Sequence, residues 1–255
     1  MNQILAIAQN TYKELIRDKA LFILIFFGLG LLALSVLLSQ LSISENLRLT
    51  IDFGFSGIFL AIVAMTFFVG STLVFREIDK KTILFLMSYP LSRSQFIMGK
   101  FLGFTAMLVT LLIGLGFVLS LLLFYIGWEP TSAFLIAMYG IFLEILLLLS
   151  MTLFFGVIIR PILVVGCAVG LFLIGHGMNG FAEIVARGQN EFLKTTSVAL
   201  KWAMPNLENL NWMNQVVYGE IVPARTILFA SVYSLGWVIF FLSIAVILFR
   251  RRDFV

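Results

Sequence analysis

Cysteine and histidine each occur once in the 255 residues, and proline five times. The single cysteine, Cys167, excludes an intramolecular disulfide; inside an apolar run it reads as a small buried side chain. The single histidine, His176, excludes a His-clustered metal site. Charge is equally scarce. Asp, Glu, Lys and Arg make up 12% of the chain, against roughly 25% in a soluble domain. Nucleotide-binding and hydrolytic signatures are missing too. Gly99-Lys100 has Ser94 where a phosphate-binding loop needs its first glycine. No His-Glu-x-x-His pair and no Gly-x-Ser-x-Gly elbow occurs.

What is abundant is apolar length: 61% of the chain is hydrophobic. Crossing a ~30 Å hydrocarbon core as helix takes about 20 apolar residues. Six runs qualify, at 21–41, 55–75, 101–127, 133–159, 162–180 and 226–249. None alternates polar and apolar residues as a barrel strand would, and only helices then satisfy the backbone in lipid. The fold class expected is an all-α integral membrane protein, a single transmembrane domain over 1–255. Basic residues set its orientation. Lys13, Arg17, Lys19, Arg76, Lys80, Lys81, Arg93, Lys100, Arg160, Arg250, Arg251 and Arg252 flank one side; Arg48, Arg187, Lys194, Lys201 and Arg225 flank the other. The richer side is expected to be cytoplasmic, with both termini inside. That topology accounts for the net charge of +4 without nucleic acid as a partner. No cleavable signal peptide is apparent.

Ile4, Ala8, Tyr12, Leu15 and Ile16 recur at helical spacing, so residues 1–20 read as an interfacial elbow helix lying on membrane lipid. Ser39–Gly54 reads as a short outer loop, and 181–225 as an outer segment of short amphipathic helices that dips into or caps the leaflet. Its centre, 204–211, is turn chemistry rich in Asn with Pro205. Glu144 lies deep within a span, where a carboxylate is a functional hypothesis by default; a place on a translocation path competes with hydrogen-bonded structural glue. His176 reads as an interfacial residue near the outer end of the fifth span, on the opposite half of the membrane from Glu144 and without an evident partner. Gly166 and Gly170 share a helix face and predict close packing, within the bundle or across a dimer axis.

The strongest signal is a charged island, REIDKKTILFLMSYPLSRSQFIMGK, over 76–100. Thr82 is placed to cap a short helix over 83–89 with Ile83, Leu86 and Met87 as its apolar edge. Pro90 ends it, and Ser92 or Ser94 starts the next helix. An amphipathic helix joined rigidly to two spans can transmit a push from a partner.

At this loop the chain resembles the permease subunits of type-2 ABC exporters. Their first cytoplasmic loop has the form Glu-x-x-x-Gly-Thr … Leu-Leu … Pro-(Leu/Val)-Ser-Arg … Gly-Lys. The matching residues are Glu77, Thr82, Leu84, Leu86, Pro90, Leu91, Ser92, Arg93, Gly99 and Lys100; Lys81 stands where the family has Gly. The stretch from Pro205, Asn206, Leu207 and Glu208 to Asn211, followed by Tyr218-Gly219, is similar to one in the branch of copper-enzyme-maturation and gliding permeases. The resemblance implies a bacterial cytoplasmic-membrane protein that pairs with a second copy or a related permease. Two cytoplasmic ABC ATPase subunits would bind ATP and Mg, and this chain would bind no cofactor and catalyse nothing. Glu77, Thr82, Leu86, Pro90, Arg93 and Lys100 would couple to the ATPases. Gly166 and Gly170 would pack at the dimer contact, and Pro205, Asn206, Glu208 and Trp212 would belong to an outer gate. The alternatives are a membrane scaffold or sensor accessory without transport, and an intramembrane enzyme.

Overall fold

The computed structural model describes residues 2–40, 46–79, 92–128, 131–187, 195, 197–198, 201, 203–220 and 222–251. Among these, the helices in chain order are α1 (Asn2–Ile16), α2 (Lys19–Ser39), α3 (Asn46–Leu73), α4 (Phe75–Asp79), α5 (Arg93–Tyr125), α6 (Ser132–Ile158), α7 (Pro161–Arg187), α8 (Met213–Tyr218) and α9 (Ala224–Arg251), with a 3-10 turn at Glu208–Leu210. Six helical stretches are long and apolar enough to cross a membrane, and no strand occurs among the described residues. The protein is an all-α integral membrane protein.

Local chemistry sets several helix ends. Asp18 breaks α1 from α2 and caps α2 by accepting from the Ala20 amide at 3.0 Å. Ser92 starts α5 through a reciprocal capping box: its hydroxyl accepts from the Gln95 amide, and Gln95 Oε1 accepts from the Ser92 amide. Pro161 occupies the first position of α7, where its missing N–H costs nothing. Gly127, at φ 91°, lies just past the end of α5 in a backbone region that side chains disfavour.

The bundle is organised around α3 and α6. Their most apolar windows are 72% and 78% buried, against 22% for α2 and for α7. α2 packs on α3, α9 lies along α6, and α1 lies along α5. The α1–α5 contact is close because α5 presents Gly99 and Gly103 to it. A Cβ on Gly99 would stand 2.6 Å from Ile7 Cβ, and one on Gly103 2.5 Å from the Ala8 carbonyl oxygen. Small residues four apart let two backbones approach in this way.

The structure corrects several expectations. α3 begins at Asn46, inside the stretch read as an outer loop. Asn46, Thr50 and Gly57 continue the helical register, and Thr50 satisfies its hydroxyl on the Asn46 carbonyl at 2.8 Å, so polarity here does not break the helix. α7 runs to Arg187, well past the end expected near Gly180. Cys167 is exposed in the single chain. It shares its face with Gly166 and, about one turn on, Gly170. Among the described residues, no atom beyond the helix's own backbone comes within 4 Å of a Cβ built on either glycine, so the described part of the bundle does not pack closely on that face.

Candidate functional site

Two polar networks concentrate most of the buried charge. The first ties together the basic end of the bundle, where α1, α4, the start of α5 and the end of α9 meet. Lys100 is its centre. Its side chain is only 3% exposed, and its Nζ donates to Glu77 Oε1 at 2.9 Å and to Glu14 Oε2 at 3.5 Å. The Phe96 ring covers it with its centroid 5.8 Å away. Arg76 donates to Asp18 Oδ2 at 2.7 Å. Arg93 donates to the carbonyls of Phe249 and Arg250 at 3.0 and 2.7 Å. Those carbonyls belong to the last turn of α9, where intrahelical partners run out and a cation is favoured. Phe96 stacks on Phe249 at 5.6 Å beside this contact.

The consequence is mechanical. The segment 80–91 leaves α4 and re-enters at Ser92. Its first stem is held to the α1–α2 junction by Arg76–Asp18 and to α5 by Glu77–Lys100; its second is held to α9 by Arg93. Glu77, Arg93 and Lys100 are thus brought together with α1 and α9. Thr82, Leu86 and Pro90 lie outside the described residues, as does the expected helix over 83–89.

Asp18 gives this network an acid limit. Burial pushes its carboxyl up, but the Ala20 amide and the Arg76 guanidinium outweigh that and hold it below the ordinary carboxylate value. A depressed acid stabilises the fold above its unfolded value, and that contribution is lost as pH falls through its folded value. The stability gap between wild type and Asp18→Asn is therefore expected to be full at neutral pH and to close only below about pH 4. Thermal unfolding of both proteins across pH checks this; a gap that stays constant into acid contradicts it.

The second network lies at the far end. Glu144 on α6 is 1% exposed, and its Oε1 is 2.7 Å from His176 Nε2 on α7. The other ring nitrogen, Nδ1, is 3.1 Å from Glu208 Oε2 on the 3-10 turn. This overturns the expectation that Glu144 and His176 sit on opposite halves of the membrane without partners. Because α7 extends to Arg187, His176 lies eleven residues from its far end, and Glu144 lies twelve from the start of α6. At 1.5 Å per residue both are about 17 Å in.

The segment 205–212 closes over this pair. The Asn206 amide donates to the Tyr233 hydroxyl at 2.8 Å, and Asn206 Nδ2 donates to Asn179 Oδ1 at 2.9 Å. The Leu207 amide reaches the Gly175 carbonyl. Trp212 is buried and lies over Tyr139, with ring centroids 6.5 Å apart. Gly140 and Gly175 make this closure possible: a Cβ on Gly140 would stand 2.5 Å from the Leu210 carbonyl oxygen, and one on Gly175 would stand 2.8 Å from Leu207 Cγ. Pro205, Asn206, Glu208 and Trp212 therefore form one structure. Gly140, Gly175, Asn179 and Tyr233 were missed as parts of it. The Gly-His-Gly spacing at 175–177 was the available signal.

The Glu144–His176 contact supplies the paired polar groups that an intramembrane enzyme needs. Both ring nitrogens, however, are engaged by carboxylates. Among the described residues no hydroxyl or thiol is hydrogen-bonded to the ring, and no cluster suited to a metal is found.

Comparison with curated proteins returns no match. The family model described as ABC-2 family transporter protein matches residues 5–254, spanning all six candidate spans and both networks. The chain therefore belongs to the ABC-2 transporter family, whose members are membrane-spanning permease components of ABC transporters.

Proposed function

We propose that this chain is the transmembrane subunit of an ATP-binding-cassette exporter in a bacterial cytoplasmic membrane. Its basic end, with both termini, faces the cytoplasm. It pairs with a second copy or a related permease across the exposed faces of α2 and α7, where Gly166 and Gly170 lie open. Two separate ATPase subunits, which carry the ATP and Mg, engage the segment 76–100. The likeness at Pro205–Asn211 and Tyr218-Gly219 supports membership in the branch of copper-enzyme-maturation and gliding permeases.

The observation that carries this reading is the double anchoring of the 80–91 stems. A partner pressing on this segment moves the α1–α2 junction through Arg76, α5 through Lys100 and α9 through Arg93 in one step. An accessory scaffold needs a docking loop but no such linkage to several spans. The almost wholly apolar spans favour a lipid-like, amphipathic or peptide cargo over a small ion.

Co-purification of the full-length chain with its ATPase tests the proposal. Deleting 83–89 is expected to abolish ATPase recovery while the thermal midpoint of the chain stays near wild type. Arg93→Ala, which leaves the segment present but loosens its tie to α9, is expected to keep the ATPase bound and lower transport-coupled ATP hydrolysis several-fold. Undiminished ATPase recovery after the deletion refutes this placement of the coupling segment.

A further inference from the structure

We infer that Glu144, His176 and Glu208 form a proton-binding latch, in which loss of one shared proton frees the 205–212 segment from α7. An ionised carboxylate oxygen only accepts hydrogen bonds, and a bare ring nitrogen also only accepts. Each of the two contacts, at 2.7 and 3.1 Å, therefore needs a proton between its heavy atoms. The closed triad holds at least two protons. If one leaves for water, two protonated contacts become one, and a lone pair then faces a carboxylate oxygen across the other.

Burial decides which contact opens. Glu144 is 1% exposed on a long helix packed against α3, α7 and α9. An ionised carboxylate there cannot give up its donor without a large desolvation penalty. Glu208 is 36% exposed and rides on a three-residue turn, so it can rehydrate by moving outward. Its contact is also the longer of the two. The proton leaves on that side, and the His176–Glu208 contact breaks.

The surroundings isolate the triad. Toward His176, α6 presents Glu144 and the 3-10 turn presents Glu208, while Tyr233 on α9 accepts from the Asn206 amide. α3 presents the Phe59 ring, 5.9 Å from the imidazole, and α7 itself adds Phe172 at 4.7 Å. The charged residues of α3, Arg48 and Asp52, lie about two turns or more from Phe59, and Glu183 lies about two turns from His176 on α7. With the Glu208 contact gone, the segment keeps its bonds to Asn179, Gly175 and Tyr233 but loses its one tie to the buried carboxylate.

His176 is the only histidine in the chain, so ¹⁵N-histidine labelling of the full-length protein, purified without a histidine tag in lipid nanodiscs, reports one imidazole. In the same protein, Cys167→Ser with spin labels at Asn209→Cys and Glu183→Cys reads the distance from the turn to α7. Raising the pH from about 5 to 9 is expected to titrate the ring. With the same midpoint, a distance population longer by on the order of 5 Å appears. Glu208→Gln brings its own amide donor, so the ring still titrates but the distance change is lost. A wild-type distance that stays fixed while the ring titrates overturns the latch. So does a ring that keeps one protonation state throughout, or a distance change that survives Glu208→Gln.

Discussion

Replacing Lys100 by methionine is expected to destabilise the protein by about 3 kcal/mol and to uncouple the 76–100 segment from the spans. Methionine matches the aliphatic stem, so packing against Phe96 is kept and the lost ammonium is the main change. Glu77, 18% exposed, then loses the ammonium that stands 2.9 Å from its Oε1. Loss of the cation beside this largely buried carboxylate dominates the cost, since breaking a buried pair costs more than the pair contributes. Glu14 adds little. Its contact is 3.5 Å and its side chain is 45% exposed, so solvent screens it. The double variant Lys100→Met with Glu77→Gln is expected to recover most of the loss, because an amide tolerates the site. Chemical or thermal unfolding of the four proteins of this cycle measures the coupling. A single-variant loss below about 1 kcal/mol, or a double variant no better than the single, removes Lys100 from the centre of the network.

Much of this architecture was legible in the chain, and the reasons are specific. The spans were visible because lipid demands apolar length, and no other structure in the chain competes for it. The restart of α5 was visible at Ser92 or Ser94 because helix capping is chemistry between near neighbours, and the box with Gln95 selects Ser92. Lys100 stood out as a cation at the edge of an apolar run, although its carboxylate partners come from distant parts of the chain, 86 and 23 residues away. Partners at such separations leave no local pattern. The same limit explains the misplaced histidine. Asn179, Glu183 and Arg187 dilute the apolar signal, so the fifth span seemed to end early, and His176 was set at the wrong depth relative to Glu144.

Glycine is the clearest case of what a single sequence withholds. Gly166 and Gly170 have the spacing of a packing motif yet face open space in this chain, whereas Gly99, Gly103, Gly140 and Gly175 meet backbone or side chains within 3 Å of a virtual Cβ. A glycine's value depends on the surface opposite, and hydropathy is blind to that surface. Gly99 and Gly103 have the same four-residue spacing as Gly166 and Gly170. What differs is that α1 lies across the first pair, whereas no described element of this chain lies across the second.

Gly140→Val turns this distinction into a second large effect, expected to cost about 2–3 kcal/mol. Valine is stiff at χ1 in a helix, so its extra atoms cannot swing away from the Leu210 carbonyl oxygen, 2.5 Å from the Cβ position, or from Trp212 Cε3 at 3.1 Å. The removal of glycine from a helix interior returns roughly 0.5 kcal/mol, which is too little to offset the clash. The strain is relieved most cheaply by lifting the segment, because α6 is clamped between α3 and α9 while the 3-10 turn is short and partly exposed. Lifting it pulls Glu208 away from His176, whose other partner, Glu144, lies one turn from Gly140 on the same side of α6. The label pair at Asn209 and Glu183 is therefore expected to show the long distance at every pH in Gly140→Val, with the helical content of the bundle unchanged. Gly166→Val is the matched control: the same substitution in an apolar helix where, among the described residues, no atom beyond the helix's own backbone lies within 4 Å of the new Cβ. It should leave the label distance and its pH dependence as in wild type. If Gly140→Val keeps the short distance at low pH, the closed segment does not need its glycine seat, and the fit of 205–212 onto α6 is looser than this geometry requires.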